Sequence, residues 1–112
     1  MKLKEHMNGD VLILEISGKV EGGPHSDAFR SKVAEIIEKG HKKVLIDLSD
    51  VPWMNSTGIG MIVVGMSSIT NAGGTVKFLN VKERVRSILM VTRLLTVFES
   101  YYGEEDAVKS FD

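Results

Sequence analysis

No cysteine occurs anywhere in the chain, which excludes a disulfide framework and any thiolate site, nucleophilic or metal-binding. Histidine is nearly as scarce: His6, His25 and His41 stand singly, and no two have the spacing of zinc ligands, so they read as surface residues without a role. Long apolar runs are missing too. The longest, Ile59 to Met66, is far below the ~20 residues that cross a bilayer. Met1 to His6 lacks the apolar segment of a signal peptide, and a soluble, cytoplasmic protein without membrane insertion is expected. Charge of one sign is also in short supply. The formal net charge is -1, and the densest basic cluster, Lys82, Arg84 and Arg86, is short and interrupted by Glu83; no nucleic-acid partner is expected, because a polyanion needs a concentrated basic patch.

What is present fits one folded domain spanning 1-112. Hydrophobic content of 43% and charged content of 26% are those of an ordinary globular chain, and 112 residues bury one core without covalent staples. Residues 2 to 7 read as an edge strand, closed by a two-residue turn at Asn8-Gly9. Val11 to Ile16 is nearly all apolar and reads as an interior strand. After a flexible Glu21-Gly22-Gly23-Pro24 loop, Ser26 or Asp27 caps a helix with Phe29, Val33, Ile36 and Ile37 on its buried stripe, ending at Gly40. Thr75 to Leu79 forms a further strand, Val85, Ile88 and Leu89 mark a third helix, and Thr96 to Glu99 a final short strand. Ala107, Val108 and Phe111 mark the buried side of a last helix, with Glu104, Glu105 and Asp106 at its positive end. The β-α-β order implies parallel crossovers in an α/β layer structure.

The most informative stretch runs from Val44 to Asn71. Val44-Leu45-Ile46-Asp47-Leu48 has the character of a strand covered on both faces. Ser49-Asp50-Val51-Pro52 is turn chemistry. Asn55, Ser56 and Thr57 are three candidate N-cap side chains directly before the periodic run Ile59, Ile62, Val63, Met66 and Thr70. Ser56 is thereby placed at a helix N-terminus. At about 100° per residue, Thr57, Met61, Val64, Gly65 and Ser68 fall on the opposite stripe, where a surface helix would carry Lys and Glu. No charged residue lies between Asn55 and Asn71, so this stripe is either covered by another element or offered to a partner.

Asp47-Leu48-Ser49-Asp50-Val51-Pro52-Trp53-Met54-Asn55-Ser56-Thr57-Gly58-Ile59-Gly60 resembles the D-L-S-x-V-x-x-M-D-S-[ST]-G-[LI]-G segment of bacterial anti-sigma factor antagonists, which are single STAS domains. Ile16-Ser17-Gly18-Lys19-Val20-Glu21 is similar to the family's L-x-G-E-[LI]-D segment, and Phe98 to Val108 to its terminal F-x-x-[YF]-x-x-x-E-E-A-[LV] pattern. Asn55 and Glu21 stand where the family usually has Asp. The resemblance implies a mixed sheet of four to five strands packed with about four helices. It also implies phosphorylation at Ser56 and a partner-binding surface of Glu21, Asn55, Ser56, Thr57, Gly58, Met61, Val64, Gly65 and Ser68.

The implied function is a phosphorylation-switched regulator. Its unphosphorylated form binds an anti-sigma factor that is also a serine kinase and so releases the sigma factor; phosphorylation weakens binding, and a serine phosphatase reverses the mark. The ATP and metal belong to those partners, so no cofactor is expected here. A structural STAS subunit of a lipid transporter or another signalling complex, without a phosphorylation cycle, is the alternative. Enzymatic use of Ser56 is not expected, because no histidine forms a local motif with it and the G-x-S-x-G elbow is absent. A dinucleotide site at Gly58-Ile59-Gly60 is disfavoured by Val63 in the third glycine position.

Overall fold

The strand centred on Val44 to Leu48 runs from Lys43 to Asp50. The computed structural model describes residues 1–23, 25–91 and 100–112. Among these the elements follow as β1 (Lys2–Asn8), β2 (Val11–Ser17), α1 (His25–Glu38), β3 (Lys43–Asp50), α2 (Ser56–Asn71), β4 (Thr75–Leu79), α3 (Glu83–Val91), β5 (Ser100–Tyr101) and α4 (Glu104–Lys109). The sheet order is β1-β2-β3-β4-β5. β1 pairs antiparallel with β2, and the remaining pairs are parallel, as helical crossovers between successive strands require. The expected mixed sheet and helix complement are both present. The final strand expected at Thr96 to Glu99 lies outside the described residues.

Both faces of β3 are covered. Val44, Ile46 and Leu48 join Leu12, Leu14 and Ile16 of β2 in a core with Phe29, Val33 and Ile36 of α1, Ile59, Ile62 and Ile69 of α2, and Val85 of α3. Leu45 points the other way, into a smaller cluster with Val11, Ile13, Leu79 and Ala107 of α4. This alternation follows from the period of two along a strand.

The hairpin turn is one residue later than expected. Asn8 pairs with Val11, so Gly9-Asp10 is the two-residue loop, with Gly9 supplying the positive φ (63°). α1 begins at His25, so Ser26 and Asp27 lie inside its first turn rather than capping it. The Ser26 hydroxyl instead donates back to the Gly23 carbonyl at 2.6 Å. The buried face of α2 is also rotated from the expected one. Gly58, Ile59, Ile62, Gly65 and Ile69 are buried, whereas Val63 and Met66 are half-buried and Thr70 is exposed. The rotation arises at Gly65, where a β-carbon would stand 2.5 Å from the Phe29 ring. Lacking one, α2 lies directly against α1 there.

Candidate protein-binding site

Beyond β3 the chain is held by two buried side chains, Val51 and Met54, and by the Val51 amide, which donates to the Leu48 carbonyl at 3.0 Å. The residue that follows becomes the helix cap. Asn55 has extended backbone (φ -100°, ψ 178°); its Oδ1 accepts from the Gly58 amide at 2.8 Å, and its carbonyl accepts the first helical bond, from Ile59, at 2.9 Å. An Asn here satisfies an amide that the helix itself cannot. Of the three candidate caps, Asn55 therefore takes the role, and Ser56 and Thr57, the first two helical residues, are exposed.

A second segment is stitched against this turn. The Val20 amide donates to the Trp53 carbonyl at 3.1 Å, and the Asn55 amide donates to the Val20 carbonyl at 3.1 Å, forming an isolated parallel bridge between Val20 and Met54. The bridge carries Glu21 and Gly22 to the start of α2. Gly22 has φ of 78°, and a β-carbon on it would sit 2.5 Å from Thr57 Cγ2, so this position requires glycine on two counts. Glu21 is exposed.

The structure thus brings Glu21, Asn55, Ser56 and Thr57 to one corner, although they come from two separate stretches. Gly58 is a correction: it is buried beneath Val20 and cannot touch a partner. The α2 stripe needs revision too. Thr57, Met61, Val64, Gly65 and Ser68 form one wall of a groove of about 260 Å³ between α1 and α2, with Gly60 beside them and Gly22, Gly23, Ser26, Phe29, Arg30 and Val33 opposite. Within it Gly65 is buried, Met61 and Ser68 are half-buried, and Val64 is 65% exposed. Sequence reasoning missed the α1 wall because Phe29 and Val33 read as core; the uncharged span from Asn55 to Asn71 was the available signal.

Exposed hydroxyls at a helix start, a second loop stitched beside them and an adjoining apolar groove together form the candidate binding surface of this α/β domain. Among the described residues no group of three His, Asp or Glu side chains could hold a metal ion, and no helix is long and apolar enough to cross a membrane. The STAS domain model matches residues 3–107, and the chain belongs to that family. It is 34% identical over 75 residues to a Thermotoga neapolitana protein named as an anti-sigma factor antagonist homologue, covering 67% of this chain and 66% of the relative. It is 30% identical over 81 residues to the anti-sigma-B factor antagonist of Bacillus subtilis, covering 72% of this chain and 73% of that one. The anti-sigma F factor antagonist of Paenibacillus polymyxa is 27% identical over 109 residues, covering 96% and 92%. Among solved structures, one from Thermotoga maritima superposes with a TM-score of 0.84 at 28% identity, covering 96% of this chain and 92% of that one. The unphosphorylated form of SpoIIAA superposes with a TM-score of 0.80 at 18% identity, covering 98% and 96%, a likeness of fold.

Proposed function

We propose that this domain is an anti-sigma factor antagonist switched by phosphorylation of Ser56. The observation that carries the reading is the placement of Ser56: first residue of a helix capped by its neighbour, exposed, and beside the Glu21-Gly22 loop. Because Asn55 does the capping, the Ser56 hydroxyl is not needed to hold the helix and is open to a kinase. A phosphoryl group of about -1.5 to -2 charge there meets the positive end of α2, so the fold tolerates it. The cost falls on the interface, where the new charge needs desolvation and repels acidic groups opposite.

In this reading the unphosphorylated domain binds an anti-sigma factor that is also a serine kinase, and a serine phosphatase restores the binding form. Glu21, Thr57, Met61, Val64 and Ser68 contribute to the surface, with Gly65 setting its depth. The names of the relatives from Bacillus subtilis and Paenibacillus polymyxa support the general role. The test is phosphorylation by the anti-sigma factor kinase, followed by intact-mass and peptide mapping, with calorimetric binding of parent, Ser56→Ala and Ser56→Asp. Label at Ser56, retained binding by Ser56→Ala and at least about tenfold weaker binding by Ser56→Asp are expected. Label at Thr57, or equal affinities, would overturn the switch.

A further inference from the structure

The groove between α1 and α2 has mainly apolar walls. Its walls are Phe29 and Val33 on one side and Met61 and Val64 on the other, floored by Gly65. Its volume of about 260 Å³ exceeds the ~150 Å³ that takes a benzene-sized group, so one large apolar side chain fits. Gly60 keeps the space open: a β-carbon there would meet nothing within 4 Å. Thr57, next to Ser56, lies at the helix-start end of the same groove.

Among the described residues that line the groove, Arg30 alone is charged. Its guanidinium lies 3.8 Å from Asp27 one turn earlier on α1, and both side chains are largely exposed, at 78% and 86%. Such a pair is weak, so Arg30 is available to an incoming carboxylate. Arginine offers a fork of donors matched to that group.

We infer that the anti-sigma partner inserts one apolar side chain between α1 and α2 and sets an adjacent carboxylate against Arg30. The inference rests on the binding function proposed above and names the chemistry of its partner. A protein segment suits the groove better than a small molecule because Val64, on its wall, is 65% exposed and presents apolar surface outward that a ligand seated between the helices leaves wet. Arginine beside an apolar pocket is also the composition of an interface hot spot. The same arrangement gives the switch a physical form. A phosphoryl group on Ser56, next to Thr57 at the groove's end, repels the partner carboxylate.

Calorimetric titration of the unphosphorylated domain with the anti-sigma factor kinase tests this. Gly60→Leu fills the groove from an exposed position, and Arg30→Glu reverses its charge; thermal melts confirm that both fold. Each is expected to bind roughly tenfold more weakly or worse, with Arg30→Lys between Arg30→Glu and the parent because it keeps the charge and loses the fork. An Asp or Glu to Arg change in the kinase should rescue Arg30→Glu. Parent-like affinity for Gly60→Leu and Arg30→Glu, with Ser56→Asp still weakened, would overturn the groove assignment and leave the switch standing. A parent domain that does not bind the kinase would overturn both. Octanoate binding that Gly60→Leu abolishes, or self-association lost in the same variant, with kinase affinity unchanged, would assign the groove to a small amphipathic anion or a second copy instead.

Discussion

Gly58 lies so close under Val20 that a β-carbon on it would run into the Val20 carbonyl oxygen and stand 2.6 Å from the carbonyl carbon. That carbonyl is already held by the Asn55 amide at 3.1 Å. The obstacle is therefore backbone, which cannot rotate aside as a side chain would.

Gly58→Ala is expected to destabilise the domain by about 1–3 kcal/mol or more, as overpacking does, and to part the Glu21 loop from Ser56. Two positions on, the same change does the reverse. Gly60 is exposed, helical and open on all sides, so Gly60→Ala should stabilise by up to about 1 kcal/mol. Denaturant unfolding of the two variants reads opposite signs; a loss for Gly60→Ala would show that the space beside it is already filled.

Position on α2 should sort charge substitutions steeply. Ile62 is buried in the main core, and Ile62→Lys, an unpaired charge in apolar surroundings, is expected to unfold the domain. Val64 is exposed, so Val64→Glu should alter stability by no more than about 0.5 kcal/mol while weakening partner binding. Val63→Glu belongs between them, because Val63 is half-buried. Thermal melts decide the order.

Asn55→Ala removes the acceptor for the Gly58 amide and should cost about 1 kcal/mol. Asn55→Asp keeps that acceptor and adds charge at the positive helix end, so its effect on stability should stay below about 1 kcal/mol. Its larger effect is expected on the rate of phosphoryl transfer to Ser56, through the field at the hydroxyl. Kinetics against one kinase compare the two proteins; equal rates would show that this position does not tune the acceptor.

Lys77 of β4 is 7% exposed. Its ammonium donates to the Ser110 carbonyl at 2.7 Å and to the Ser110 hydroxyl at 3.0 Å, and it stands 4.7 Å from the centre of the Phe111 ring. It thereby fastens the end of α4 to the sheet. Lys77→Ala should cost roughly 1.5–3 kcal/mol, the scale of charged hydrogen bonds, and should speed amide exchange in residues 104–112 more than in α1. Uniform exchange would place its role elsewhere.

Acid should weaken the domain at two surface carboxylates. The Lys43 ammonium, bonded at 2.7 Å, holds Asp10 below its ordinary value of 3.8; Lys39 and then Lys32 hold Glu35 below 4.5. Because the folded carboxylates bind protons more weakly than the unfolded ones, their stabilisation is complete above those ordinary values. It is lost as pH falls through the lowered ones. Asp10→Asn with Glu35→Gln should flatten the melting temperature between neutral pH and about pH 3, and salt should shrink the difference. An unchanged slope would mean that other carboxylates govern acid unfolding.

Much of this architecture was legible because apolar spacing and turn residues agree along the chain. Val44 to Leu48 announced a doubly covered strand, and the Asn-Ser-Thr run announced the start of α2. What failed did so for identifiable reasons. A helical wheel gives glycine no direction, yet the missing β-carbon of Gly65 is what lets Phe29 approach and turns the buried face. The hairpin slipped by one residue because Asn and Gly suit either arrangement, and pairing of Asn8 with Val11 decides it. Lys77 gave no sign of burial, since lysine ordinarily faces water; Ser110, which accepts from it, lies 33 residues away in sequence. The groove was half visible, as an uncharged stripe without its opposite wall.

The Val20–Met54 bridge has one further consequence. It joins segments that are distant along the chain and carries Gly22 against Thr57 only when β2 and β3 lie side by side. An isolated peptide containing Ser56 and the whole of α2 would lack both that neighbour and the α1 wall. On the proposed function, a short mimic of this stretch is thus an inadequate decoy for the intact domain, and recognition by a partner would double as a test that the chain has folded.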